Sequence, residues 1–416
     1  MASFFIQNFG CRVNQAEAFS WAEELEHGGM RLEKDPARAD WVIVNTCTLT
    51  SAADRDVRKF IRRVPRTNPA AKLVITGCSV EAGRLHDEAR GADVLFLKNV
   101  DKKELPGRIL SRMGNMDRGS AVRTSFRARA LLKVQDGCDR HCAFCVIPSV
   151  RGPSRSVRRS EVLARARGLI ARDFREIVLC GIHLSSYGRD LDPPGSLAGL
   201  IRALLELEGI GKLRLSSLDP RGLDEELIRL VTENAGICPH FHLSLQHGSD
   251  RILKRMGRGP GSAVYKRILE RLRESSTAAA LGADIIVGFP GEEEEDFDEL
   301  CDFLAGSPLD YLHVFSYSPR PGTPAAGWPQ ISGPEKRRRS SLLRTFSAAR
   351  RSSFRQRFTG QDLDAIVVRT NGSGAELLTS NYIRVCVRSS SVRPGGEVRV
   401  KITRVEEEWT GGEEVA

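Results

Sequence analysis

Three cysteines in one short loop, Cys138, Cys142 and Cys145 within GCDRHCAFCVIP, constrain this 416-residue chain more tightly than any other stretch. Thiolates spaced C-x3-C-x2-C can hold three irons of a 4Fe–4S cube and leave the fourth without a protein ligand. An open iron is where a small molecule binds and is reduced. Two plainer readings compete. The same positions fall at i, i+4 and i+7, the spacing of a buried helical stripe. On a helix rising about 1.5 Å per residue, however, the outer Cα atoms would stand roughly 10 Å apart. Gly137 and Pro148 flank the run and favour a loop. A zinc site, the second alternative, wants a paired CxxC and a fourth ligand.

The chain is long enough for two or three domains around a sizeable core. Its ten cysteines would suggest disulfides in a small secreted protein. SFFI is the only apolar run near the start, and no segment approaches about 18 consecutive apolar residues. The expectation is therefore reduced thiols or metal ligands in a cytoplasmic protein, with no membrane contact. A formal net charge of +10 suits a polyanionic partner without identifying one.

Residues 1–108 alternate strands and helices. ASFFIQNFG, ADWVIVNT, KLVITG and VLFLKN are apolar, β-branched runs, and Ala18, Trp21, Ala22 and Leu25 share one helical face between the first two. That alternation predicts a parallel sheet covered by helices. Cys11, Cys47 and Cys78 each fall at the carboxyl end of one of the first three strands, the edge where such sheets bind ligands. With neighbouring strands about 4.8 Å apart, three strand ends can converge on an object of cluster size. Isolated cysteines are often simply buried; three from three strand ends predict a second cluster.

Residues 109–127 are basic, lack apolar periodicity and read as a linker. Across 128–350 the alternation returns for six rounds, with LLKVQDG, EIVLCGI, KLRLSSL, HFHLSLQ, ADIIVGF and LHVFSYS as strands. Six βα units predict a partial barrel whose working face is the carboxyl end of its strands. Gly181, His183, Ser216, Ser217, Gln246, His247, Gly288 and Ser316 to Ser318 collect there. The acidic run Glu292 to Asp296 reads as a solvated helix start. Residues 351–416 finish as a small β-barrel of short strands, preceded by an arginine-rich helix suited to phosphate, and the tail EEEWTGGEEVA reads as mobile. The overall class is α/β.

With those residues in view, LLKVQDGCDRHCAFCVIPSVRG resembles the cluster loop of radical S-adenosylmethionine (radical SAM) enzymes, and of the methylthiotransferases in particular. NFGCRVNQAEA, VIVNTCTLTSAADRDVRK and VITGC resemble their amino-terminal domain, and TSNYIRV resembles a TRAM domain, an RNA-binding barrel. The resemblance implies two 4Fe–4S clusters, one on Cys138, Cys142 and Cys145 and an auxiliary one on Cys11, Cys47 and Cys78. It also implies SAM on the first cluster, held by Gly181, Ile182, Ser244, Gln246, Asp284 and Gly288. Asn381, Tyr382 and Arg384 would touch RNA, with a base stacked on Tyr382. In that family one-electron reduction cleaves SAM to a 5′-deoxyadenosyl radical, and a second SAM methylates the inserted sulfur. The chain needs a low-potential electron donor and a sulfur donor. GCRVNQ, GIHLSSYG and NYIRV resemble the branch acting on N6-threonylcarbamoyladenosine beside the tRNA anticodon. The alternatives are the branches acting on isopentenyladenosine or on a ribosomal-protein aspartate, and, in another class, a non-enzymatic RNA-binding protein with metal centres. His183 and His247 receive no role, and Cys180, Cys238, Cys301 and Cys386 match no ligand pattern.

Overall fold

Apolar residues alternate in and out of the first sheet, so each face gathers its own core. The computed structural model describes residues 1–85, 88, 93–113, 128–372, 374–388 and 392–415, and the expected linker lies mostly outside them. Strands β1 (Ser3–Asn8), β2 (Arg31–Leu32), β3 (Trp41–Thr46), β4 (Lys72–Gly77) and β5 (Val94–Leu97) pair in parallel in the order β2-β1-β3-β4-β5. Phe4, Ile6, Ile43 and Val74 pack under Ala18, Trp21, Ala22 and Leu25 of the helix Arg12–His27. Val42, Val44, Leu73 and Ile75 pack on the other face against Val57, Phe60, Ile61 and Val64 of the helix Ser51–Thr67. This is the period-2 signature of a sheet covered on both sides.

The central unit follows with β6 (Ala130–Lys133), a short antiparallel pair β7 (Gln135–Asp136) and β8 (Arg155–Ser156), then β9 (Glu176–Cys180), β10 (Lys212–Leu215), β11 (His240–Gln246), β12 (Ala280–Val287) and β13 (Tyr311–Ser316). Two parallel sheets, β10-β9-β6 and β11-β12-β13, are joined by the bridges Leu213–Ile237 and Leu218–Leu243 into one six-stranded arc. The six expected strands are the six of the arc. Its two edges are covered from outside the unit. Val13, Ala16 and Phe19 of the helix Arg12–His27 join the core beside β6, and the helix Gly333–Gln356 packs on β13. The first helix thus buries two apolar faces, one in each unit.

Strands β14 (Asp362–Thr370), β15 (Ala375–Thr379), β16 (Arg384–Val387), β17 (Glu397–Val405) and β18 (Thr410–Val415) close a barrel in the order β14-β15-β16-β18-β17. Two expectations are corrected. The tail is not free: β18 pairs with β17 and β16, and without it the barrel would keep two open edges. The acidic run does start a helix and exposes Glu293, Glu294 and Glu295, but it is not solvated throughout. Glu292 and Asp296 are buried; Glu292 meets Arg339 at 2.8 Å, and Asp296 completes a capping box with Glu293 at the start of the helix Glu294–Ala305. Arg338 and Arg339 of the arginine-rich helix are engaged by Glu292, Glu294 and Glu335. Among the described residues no helix is long and apolar enough to cross a membrane.

Candidate active site

The loop that follows β7 begins at Gly137, whose φ of +71° and missing Cβ let it pass the carbonyls of Gly152 and Pro153. Cys138, Cys142 and Cys145 then lie on irregular chain with a single turn at Ala143–Phe144, as the loop reading predicted. Ala143 anchors it twice, donating to Met256 O and accepting from Ala325 N, both at 2.9 Å. Phe144 meets Phe289 edge-on. Burial raises the Cys138 thiol and pushes Cys145 up to about 12. Without metal these are neutral thiols, and a metal would take the place of the proton.

Gln135 braces this loop and was not singled out from sequence. Its fully buried amide donates to Asp136 O, Gly137 O and Ser154 Oγ, each at 2.9 Å, while Oε1 accepts from His183 N at 2.8 Å. It therefore ties the cysteine loop to the turn after β9 that carries Gly181 and Ile182. A Cβ on Gly181 would stand 3.0 Å from Gln135 Oε1 and from Leu184 Cα, so glycine lets the turn lie close without displacing the brace.

The other three cysteines sit where the first sheet ends. Cys11 caps the helix Arg12–His27, Cys47 follows β3, and Cys78 opens the short helix Cys78–Glu81 after β4. Gly10 has φ +100°, and a Cβ there would fall 2.6 Å from Cys47 Cβ, so glycine makes room for that thiol. Asn14 Nδ2 bonds the carbonyls of Phe9 and Thr46 at 2.9 Å, and Asn45 Nδ2 bonds Asn14 O, so both asparagines brace the cysteine turns. Burial pushes Cys47 up to about 12 and raises Cys11, with Arg151 partly offsetting the latter.

One thiol of the first sheet reaches the loop that carries the other three. Cys78 is buried with Val146, Ile147 and Val150, and Cys138, Cys145 and Ile182 flank the same apolar seam. Beside it runs a buried ionic knot. Glu17 receives Lys102 at 2.6 Å, Lys133 at 3.0 Å and Arg151 at 3.1 Å, and Arg151 continues to Asp136 at 2.7 Å and to Asn14 Oδ1. Burial pushes the Glu17 carboxyl up, but Arg151, Lys102 and Lys133 pull it further down, leaving it well below the ordinary carboxylate range.

Around the strand ends, Asp219 holds Arg221 at 2.6 Å and Arg258 at 3.2 Å, and His183 Nε2 lies 3.7 Å away. Burial lowers His183 to about 4, so it is neutral at pH 7. Ser216 Oγ and Arg258 Nε are buried with no hydrogen-bond partner, two polar atoms that a polar cofactor could satisfy. Ser244 sits where Arg258 bonds its carbonyl, Gln246 adopts φ +81°, and Gly288 adopts φ +71° against Lys336. Asp284 accepts from His242 Nε2 at 2.9 Å. His247 is fully buried and receives Ser249 N on Nδ1, a turn-bracing role.

Of the barrel trio, Asn381 is buried on Thr379 Oγ1, and Arg384 is exposed and paired with Glu376. The Tyr382 ring stacks on His240 at 4.1 Å, faces Arg214 at 5.3 Å and receives Arg12 on its hydroxyl at 3.1 Å. It closes the floor of the six-stranded arc.

Residues 132–304 match the Radical SAM superfamily, and residues 3–96 match Uncharacterized protein family UPF0004. Over 95% of its length the chain is 35% identical to 99% of the threonylcarbamoyladenosine tRNA methylthiotransferase MtaB of Aquifex aeolicus. The Bacillus subtilis protein of the same name is 30% identical over 97% of this chain and 94% of its own. A tRNA-2-methylthio-N(6)-dimethylallyladenosine synthase of Zymomonas mobilis is 31% identical over 96% and 94%. Among solved structures, the radical S-adenosylmethionine methyltransferase TsrM of Kitasatospora setae superposes with a TM-score of 0.55 at 15% identity, covering 78% of this chain and 77% of that one. At that identity the likeness is one of fold.

Proposed function

The chain belongs to the radical SAM tRNA methylthiotransferases, and we propose that it adds a methylthio group to C2 of N6-threonylcarbamoyladenosine next to the anticodon of tRNA. The observation that carries this reading is the shared seam. Cys78 of the first unit and Cys138 and Cys145 of the second share one apolar strip, so the two sets of three cysteines come from different units and touch at that strip. That arrangement suits a reaction in which hydrogen abstraction at one centre must be followed by sulfur transfer from another.

Cys138, Cys142 and Cys145 would hold the cluster that binds SAM, and Cys11, Cys47 and Cys78 the auxiliary cluster. When bound, these groups and SAM supply the radical, sulfur-transfer and methyl-transfer chemistry. The protein's own part is geometry. Gln135 and Gly181 set how close the turn after β9 comes to the cysteine loop. Gly181, Ile182, Ser244, Gln246, Asp284 and Gly288 would line the SAM side, joined by Ser216, Asp219 and Arg258. Asp219, held ionised by its arginines, offers an acceptor for a ligand ammonium, while Arg258 and Ser216 offer donors for a carboxylate. The apolar seam of Val146, Ile147 and Val150 would keep water from the thiols that touch it. Of Asn381, Tyr382 and Arg384, Arg384 would face RNA from the exposed side, with Asn381 and Tyr382 holding the turn behind it. The protein works in the cytoplasm with tRNA, a low-potential electron donor and a sulfur donor.

The test is mass spectrometry of tRNA nucleosides from cells lacking the gene, with and without its return. The expected result is loss of methylthio-threonylcarbamoyladenosine and build-up of its unthiolated precursor, both reversed on complementation. An unchanged nucleoside would overturn the substrate assignment.

A further inference from the structure

The closed barrel leaves a cavity of about 390 Å³ where it meets β13 and the helix Gly333–Gln356. One wall is made of rings, Tyr311, His313 and Tyr382, and the rim carries Arg351, Arg369 and Arg384. At the mouth stands Trp409, on the turn that leads into β18. It is 45% exposed, whereas Trp21 and Trp41 are each 3% exposed. Burying an aromatic ring is among the larger apolar gains open to a fold, so an indole left in water at a concave, cationic site asks for a ligand. Its position is already fixed. Arg404 lies 5.7 Å from its ring centroid, and a Cβ added to Gly411 would strike its edge at 2.8 Å, so the ring rests against bare backbone.

The charges around it are only partly satisfied within the chain. Arg369 and Arg384 share the single carboxylate of Glu376, at 2.5 and 2.6 Å, with side chains 76% and 75% exposed. Each guanidinium has five N–H donors, so most point outward. Asp310, the other deep carboxylate of the wall, is held by Arg273 at 2.6 Å. Flat rings and an indole beside arginines whose donors face outward match a ligand that presents a π-face and an anion together. An unpaired nucleotide does so, and an acidic peptide offers only the anion.

We propose that this groove takes one unpaired nucleotide of the RNA substrate, its base on Trp409 and its phosphate among Arg351, Arg369 and Arg384. The inference rests on the proposed function and deepens it. His313 is both a wall of the groove and a neighbour of Asp284 at 3.5 Å, so the groove is continuous with side chains of β12 and β13.

The test uses the reconstituted full-length protein and an anticodon stem-loop RNA carrying N6-threonylcarbamoyladenosine. Wild-type tryptophan fluorescence should be quenched on binding, and Trp409→Ala should both lose that quenching and bind about tenfold more weakly. Trp409→Phe, which keeps a ring and the fold, should retain most of the affinity. Arg384→Gln should reduce the slope of log affinity against log salt by about one. The proposal is overturned if wild type binds the stem-loop and Trp409→Ala binds it equally, or if a polyglutamate peptide quenches as the RNA does and displaces it. Failure of the proposed function reads differently. The methylthio nucleoside would persist in cells lacking the gene, while Trp409-dependent quenching by RNA could still be seen.

Discussion

Replacing Glu17 by glutamine removes one negative charge from a site that holds three cations. Lys133 and Arg151 keep a second carboxylate, Asp136, at 3.3 and 2.7 Å. Lys102 does not: its remaining partner is the neutral Oδ1 of Asn45 at 3.1 Å, and it is 4% exposed. Breaking a buried ion pair by removing one partner costs about 3–5 kcal/mol, because the survivor is a charge without a counter-ion. Glutamine keeps an acceptor oxygen, so the expected loss for Glu17→Gln lies near the lower end, about 3 kcal/mol. Against a total of roughly 5–15 kcal/mol that is a large fraction. The assay is urea unfolding of the metal-free chain followed by tryptophan fluorescence, since Trp21 lies 5.9 Å from the Lys102 ammonium and reports on this site. Adding Lys102→Met to Glu17→Gln should restore most of the loss, because a flexible apolar chain can pack on Trp21 and no buried charge remains. A pH series gives a second signature. The folded Glu17 carboxyl lies well below its ordinary value, so its contribution is complete above about pH 4.3 and fades only as pH falls through the depressed value. The single-variant penalty should thus be constant from pH 7 to 5. A penalty under about 1 kcal/mol, or a double variant no better than the single one, would refute the reasoning.

Three further outcomes follow from the site. Cys142→Ala should abolish 5′-deoxyadenosine formation from SAM under dithionite, read by chromatography, while iron bound through Cys11, Cys47 and Cys78 is retained. Ser216→Ala should weaken SAM binding about fivefold in equilibrium dialysis of the reconstituted protein, a loss of roughly 1 kcal/mol, with no change in the thermal midpoint, because its hydroxyl bonds nothing in the chain. Asp219→Asn should destabilise the fold at pH 7. Burial raises this carboxyl but Arg221 and Arg258 lower it further, so its contribution is full above about pH 3.9 and is lost as pH falls through the lowered value. The gap in urea midpoint between parent and variant should therefore narrow below pH 4.

The placement of the cysteines, one trio on a loop and the other at strand ends, was legible from their spacing and neighbours, and the strands were legible because buried parallel strands read as unbroken apolar runs. Residues whose roles depend on partners distant in sequence were not. Gln135 is one polar letter in KVQDG, and its task as a brace exists only because β6 lies beside β9, which brings His183 to its oxygen. Arg258 follows the helix Asp250–Arg255 and reaches Asp219 only through the curvature of the arc. Tyr382 read as an exposed ring beside arginines. Its φ of +71° turns it into the floor of the arc instead, where His240 and Arg214 enclose it. Trp409 was passed over for the opposite reason: acidic and glycine neighbours made its segment look unstructured, although Gly411 and Gly412 are what let β18 approach Trp409 and Val400 so closely.

The same contacts bear on what a unit is in this chain. Sequence divides it into three, yet among the described residues the three share side-chain contacts. Helix Arg12–His27 lends one face to the first sheet and another to the arc, so either core would expose apolar surface without it. At its start, Arg12 follows Cys11 directly and bonds the Tyr382 hydroxyl, so the turn that carries Cys11 touches the C-terminal barrel. Arg214, 2% exposed, donates to the carbonyls of Thr379 and Ser380 while holding Glu176. Removing the barrel would take two acceptors and the Tyr382 ring from that guanidinium and uncover the end of β10, a change in the arc itself rather than in RNA binding. Loss of activity on truncation therefore cannot by itself be assigned to lost RNA contacts. Point changes at Trp409 and Arg384, on the rim and away from these seams, separate the two effects because they leave Arg12, Arg214 and Tyr382 in place.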